Sequence, residues 1–118
     1  MAKTSKDYKE KDVIFLYNKT DDILSVEKKT KTSKVKGSID IGDVILDISN
    51  KGTVIGIELL KASKNVGLSK DILSKIEKIH FNVKEGREFL LVRLVMLFGK
   101  KEVIHTTHVP MTREALMT

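Results

Sequence analysis

The ten residues Phe89-Leu90-Leu91-Val92-Arg93-Leu94-Val95-Met96-Leu97-Phe98 decide how this chain is read. Nine of the ten are apolar, and they belong to a stretch from Arg87 to Phe98 that the turn pairs Glu85-Gly86 and Gly99-Lys100 bound. A run this short is half a membrane-spanning helix, so it reads as a long, buried β-strand. Side chains alternate along a strand. Leu90, Val92, Leu94, Met96 and Phe98 therefore line one face, and Phe89, Leu91, Arg93, Val95 and Leu97 the other. A strand apolar on both faces must be covered on both.

The neighbouring sequence supplies part of that cover. Ile79, Phe81 and Val83 alternate with His80, Asn82 and Lys84, and a return strand from Glu102 to Val109 ends at Pro110, which cannot donate to a ladder. These are expected to form a three-strand antiparallel unit. Before it, Ser69 is placed to cap an amphipathic helix over 70–78, with Asp71 in the first turn and Leu68 and Leu73 as a hydrophobic staple. Ile72, Ile76 and Ile79 fall on one face of that helix. One short helix cannot shelter two faces. The expected cover is a partner, most simply a symmetric copy, with Phe89, Leu91, Arg93, Val95 and Leu97 at the interface and Arg93 paired with a carboxylate. The alternative is an intrachain sandwich with Arg93 at its rim.

Upstream, residues 13–60 read as five strands. Val13-Ile14-Phe15-Leu16-Tyr17 and the run resuming at Ile23 flank the turn cluster Asn18-Lys19-Thr20-Asp21-Asp22. Val35, Gly37, Ile39 and Ile41 alternate with polar residues, and two further strands flank Ser49-Asn50-Lys51-Gly52. No gap is long enough for a crossover helix, so an antiparallel meander is expected. The fold class is α+β, mainly β, in one domain over 12–118 after a flexible N-terminus over 1–11. Within it, 12–64 form the β meander and 65–110 the helix and three strands.

The chain has 118 residues and no cysteine, which removes disulfides, thiolate metal sites and thiol nucleophiles. The N-terminus lacks the apolar segment of a secretory signal, so a cytoplasmic protein with no membrane association is expected. Lys+Arg is 22 against 16 Asp+Glu, a net charge of +6. Lys28, Lys29, Lys31, Lys34 and Lys36 fall in an acid-free stretch that carries most of this excess. Lysine meets phosphate as a point charge, so one alternative function is sequence-independent nucleic-acid binding through this segment.

Asp12-Val13, the stretch from Tyr17 to Val26, Asp43-Val44-Ile45-Leu46-Asp47 and the stretch from Gly52 to Ser63 together resemble a widespread prokaryotic family known only as domain of unknown function 2283. Asn18 stands where that family usually has aspartate, and Asp43 where it usually has glycine. The extension from Leu68 resembles longer archaeal members, which add a helix and further strands. The resemblance implies no catalytic residues and no cofactor; it does imply that an antitoxin-like role is open, because some small members resemble the antitoxin half of toxin–antitoxin pairs.

One constellation carries a second alternative. If Ile48 pairs with Thr53, then Asp43, Ile45, Asp47, Val54, Gly56 and Glu58 share a sheet face. Asp43, Asp47 and Glu58 could then hold a divalent cation or act as acid and base in a hydrolase. The histidines do not converge: His105 and His108 are an odd number apart on a strand and project to opposite faces. No phosphate-cradling glycine motif is present. The expectation is therefore a non-enzymatic, partner-binding or self-associating β-rich module with no cofactor.

Overall fold

The computed structural model describes residues 13–29 and 35–110. The expectations for residues 1–11 and for Lys31 and Lys34, and the end of the expected domain over 111–118, lie outside the described residues. Among the described residues eight strands follow one another as β1 (Val13–Asn18), β2 (Ile23–Lys28), β3 (Val35–Ile41), β4 (Val44–Ser49), β5 (Val54–Leu59), β6 (Lys78–Glu85), β7 (Phe89–Phe98) and β8 (Lys101–Pro110). Two short helices, α1 (Ala62–Val66) and α2 (Lys70–Leu73), separate β5 from β6. The mainly β, α+β class is as the alternation predicts. Every strand pairing is antiparallel, in a five-strand and a three-strand sheet.

The five-strand sheet runs β1-β2-β5-β4-β3, which departs from a simple meander at one place. β5, not β3, lies beside β2. Polarity explains the exchange. β5 is buried at five of its six positions and takes the centre. β3, with Lys36, Gly37, Ser38 and Asp40, is exposed at five of seven positions and takes an edge, where unpaired backbone can meet water.

Two rows of paired residues cross the inner face of this sheet. One is Phe15, Val26, Ile57, Leu46 and Ile39; the other is Tyr17, Leu24, Leu59, Val44 and Ile41. They pack in one core with Leu90, Val92, Leu94 and Met96 of β7 and with Ile79, Phe81 and Val109 of its neighbours. The result is a two-layer sandwich, in which each fully buried leucine contributes about 1.5–3 kcal/mol.

The five-strand sheet of the same chain thereby covers the even-numbered face of β7. Arg93 is exposed on the opposite face, and its cross-strand neighbours are Asn82 and Thr106 rather than a carboxylate. On that outer face Val95 and His80, a facing pair, are buried, whereas Phe89, Leu91 and Leu97 are half-buried.

The helix expected over 70–78 is also corrected. Ser69 Oγ does accept the Ile72 N–H, but the helix closes after one turn. The N–H of Glu77 donates to the Leu97 carbonyl at 2.8 Å, so the sheet takes over the backbone, and Ile79 becomes a β6 residue opposite Met96. A one-turn helix has little stability of its own against such pairing. Ile72 is left 43% exposed while Leu73 is buried. Among the described residues no helix is long and apolar enough to cross a membrane.

Candidate functional site

The β1–β2 turn is tied to α1 by a single carboxylate. Asp22 adopts φ +57°, a left-handed conformation that aspartate tolerates better than most residues. Its Oδ1 accepts from the Tyr17 hydroxyl at 2.6 Å and from the Ser63 N–H at 2.9 Å, and its Oδ2 accepts from Ser63 Oγ at 2.6 Å. The Asp22 carbonyl also accepts the Ala62 N–H at 2.9 Å. Lys61, at the start of α1, is itself left-handed and makes no side-chain cap, so Asp22 caps this helix from 41 residues away in sequence. Asn65 closes the same end, donating from Nδ2 to the Leu60 carbonyl and to Asp43.

Burial pushes the Asp22 carboxyl up, but the hydrogen bonds from Ser63 and Tyr17 and the charge of Lys70 outweigh it and hold the group below its ordinary range. Burial, the hydrogen bond to Asp22 and the charge of Asp22 together push the Tyr17 hydroxyl up to about 12. Because its folded value lies above the unfolded one, this tyrosine contributes stability that is complete below pH 10 and lost as pH rises towards 12. A spectrophotometric titration comparing wild type with Tyr17→Phe should assign to Tyr17 a transition near pH 12. If the transition lost in Tyr17→Phe lies near pH 10, Tyr17 is removed from the cluster. Ser63 donates to the Asp22 carboxylate from both its N–H and its hydroxyl, so these contacts make a clasp between the turn and α1.

The outer face of the five-strand sheet has a different chemistry. Its two rows are Ile14, Glu27, Gly56, Asp47 and Ser38, and Leu16, Ser25, Glu58, Ile45 and Asp40. Four of these ten residues carry carboxylates and none is a cation, in a chain whose net charge is +6. Leu16 and Ile14, at the β1 end of the rows, are 67% and 46% exposed. Gly56 shapes the middle. A Cβ there would stand 3.0 Å from Asp47 Oδ2 and 3.4 Å from the Cβ of Glu27. The Asp47 and Glu27 side chains close over this glycine, which is buried, and the same face carries a shallow depression of about 280 Å³ lined by Ile14, Leu16, Ser25, Glu27, Asp47 and Glu58. Ser38 Oγ donates to Asp47 Oδ1 at 2.7 Å, which orients that carboxylate and leaves Oδ2 towards Gly56.

The expected register is corrected by two residues. Ser49 and Thr53 close the β4–β5 turn, Ile48 faces Val54, and a bulge at Ile55 resets the pairing so that Asp47 faces Gly56 and Ile45 faces Glu58. Parity is kept for Asp47 and Glu58, which do share the outer face, while Val54 turns into the core. Asp43 sits in the β3–β4 turn, bonded to Asn65. Asp43, Asp47 and Glu58 therefore do not gather, and among the described residues no three His, Cys, Asp or Glu side chains could hold a metal ion. Glu27 is the member of this face that sequence reasoning missed: it comes from β2, which a meander would have set beside β3.

His105 and His108 project to opposite faces, as their spacing predicts. His105 is half-buried and lies within 3.0 Å of the Thr107 hydroxyl, and burial lowers its pKa. His108 stacks on Phe89 with ring centroids 4.8 Å apart. Of the basic segment, Lys28 lies over the Phe81 ring, and Lys29 and Lys36 are exposed.

The fold and this face define a class: an antiparallel β-sandwich with a solvated, acidic sheet face around a central glycine. The chain belongs to the family described as Protein of unknown function (DUF2283), whose model matches residues 9–63. That span holds the whole five-strand sheet and ends on Ser63, the residue that Asp22 clasps. The chain is 33% identical over 91 residues to the uncharacterized protein MJ0789 of Methanocaldococcus jannaschii, covering 75% of this chain and 77% of that protein. It is 28% identical over 99 residues to a protein of Methanosarcina mazei named putative hypoxanthine phosphoribosyltransferase, covering 83% and 71% respectively. No solved structure gives a significant match.

Proposed function

We propose that this protein is a non-enzymatic binding module that receives a lysine or arginine side chain of a protein partner in the depression on the outer face of the five-strand sheet. The observation that carries this reading is the pair of outer rows, in which Glu27, Asp47 and Glu58 line one depression together with exposed Ile14 and Leu16. A cation with an apolar stem fits a seat of carboxylates walled by isoleucine and leucine. Masking a basic partner in this way suits the antitoxin-like role that the family resemblance implies. Phosphoribosyl transfer, the activity in the name of the Methanosarcina protein, needs donors arranged around a diphosphate. The described helices of five and four residues offer no glycine-rich N-terminus for one.

The test is an amide-resolved NMR titration of the whole protein with a lysine-rich amphipathic peptide, an oligoglutamate control and a mixed-sequence DNA duplex. The lysine peptide should move the amides of Glu27, Asp47, Gly56 and Glu58, and Glu58→Lys should weaken its binding by about tenfold or more. A response to DNA at Lys29 and Lys36, with the peptide inert, would replace this reading by the nucleic-acid one.

A further inference from the structure

The outer edges of the two sheets are guarded unequally. β1 is six residues long and packs beside β6, whose own edge carries Lys78, Lys84 and Glu85. β3 is broken by a bulge between Val35 and Gly37 and carries Lys36 and Asp40. These are the usual devices that stop a row of free N–H and C=O groups from capturing another strand. β8 has none of them along most of its length. It pairs with β7 over ten residues without a bulge, and among the described residues its other side has no partner strand. After Lys101 and Glu102 it reads Val103-Ile104-His105-Thr106-Thr107-His108-Val109, with no Lys, Arg, Asp, Glu or Gly before Pro110. Five of those seven are β-branched, the composition that pairs most readily as a strand. Ile104 is 46% exposed there.

We propose that a second copy of the chain pairs antiparallel along β8, joining two three-strand sheets into one six-strand sheet about a two-fold axis. A strand meeting its own copy antiparallel is self-complementary, which a two-fold interface requires. The register follows from the residues. Phe98 and Lys101 close a two-residue turn, so odd-numbered β8 residues bond to β7, while Glu102, Ile104, Thr106 and His108 turn their backbone groups to the free edge. Centring the axis on Thr106 sets Glu102 opposite Pro110, which has no N–H to give. Centring it on His105 sets Glu102 opposite His108 on both sides of the axis and Ile104 opposite Thr106, and leaves Pro110 beyond the ladder. The two His105 rings then face one another. Burial lowers their pKa, so at neutral pH they meet uncharged.

An interface made of one strand pair lies at the small end of specific contacts, so dissociation in the micromolar range is expected. Sedimentation equilibrium of the whole protein from about 5 to about 200 µM should show two chains in association. Thr106→Pro, which removes an outward N–H without touching the core, should raise the dissociation constant at least about tenfold. Because the chain has no cysteine, a nitroxide on Thr106→Cys reports the same contact without depending on the proline variant. Its distance to the second copy's label should be under about 20 Å, since position 106 lies diagonally across from its mate. A single-chain mass at the highest concentration, an unchanged dimer in Thr106→Pro, or labels well beyond that distance would each overturn the proposal.

Discussion

Asp22→Ala should lower stability by about 3 kcal/mol, equivalent to roughly 12 °C in melting temperature for a domain of this size. Two costs add. The substitution leaves the Tyr17 hydroxyl and both Ser63 donors without their acceptor, and hydrogen bonds to a charged group are worth more than neutral ones. It also puts alanine at φ +57°, where about 1 kcal/mol of backbone strain appears that aspartate relieves locally. Asp22→Asn separates the two. Asparagine tolerates the left-handed backbone and keeps one acceptor oxygen, so it should cost about 1–2 kcal/mol. The sign of the pH effect follows from the depressed pKa. Asp22 contributes stability that is present above its unfolded value near 3.8 and lost as pH falls through its lower folded value. The gap between wild type and Asp22→Asn should therefore be widest near neutral pH and close in acid. Thermal melts at several pH values check this; a gap that is constant down to pH 2 would deny the carboxylate its role.

Asp22 illustrates which parts of this fold were legible in sequence. Local features were: the alternation of Ile39 and Ile41 with Ser38 and Asp40, the Asn18–Asp22 turn cluster and the Ser69 cap all act within a few residues and all hold. Contacts between distant segments were not. Nothing near Lys61 marks a helix start at Ala62, because the cap that satisfies it arrives from Asp22. The 70–78 periodicity fits both a helix and a strand entry, and the pull of Leu97 on Glu77 decides between them. The acidic face was half visible. Asp47, Gly56 and Glu58 lie on one hairpin, where parity alone puts them together, and a shift of two residues preserves parity. Glu27 joins them only through the β2–β5 pairing, which the relative polarity of β3 and β5 dictates.

Leu94→Asp is expected to leave the chain without a cooperative unfolding transition, whereas Arg93→Ala, one residue away, should change stability by no more than about 0.5 kcal/mol. Leu94 is 1% exposed and sits in the core between the two sheets. Its loss removes a fully buried leucine, at about 2–5 kcal/mol, and an ionised carboxylate in its place adds several more, because no cation in the core pairs with it. The sum matches the whole stability of an ordinary domain of this length. Arg93 points the other way, exposed between Asn82 and Thr106. The pair of variants distinguishes the two ways of covering an apolar strand. If a second molecule sheltered the even-numbered face of β7, Leu94→Asp would release that molecule and yield a folded single chain with native circular dichroism. With the shelter provided by Leu46, Ile57 and Leu24 of the same chain, the carboxylate has nowhere to go but into the core or into an unfolded state. Circular dichroism and sedimentation of Leu94→Asp at one concentration are sufficient, and a folded, monomeric Leu94→Asp protein would refute the intrachain sandwich.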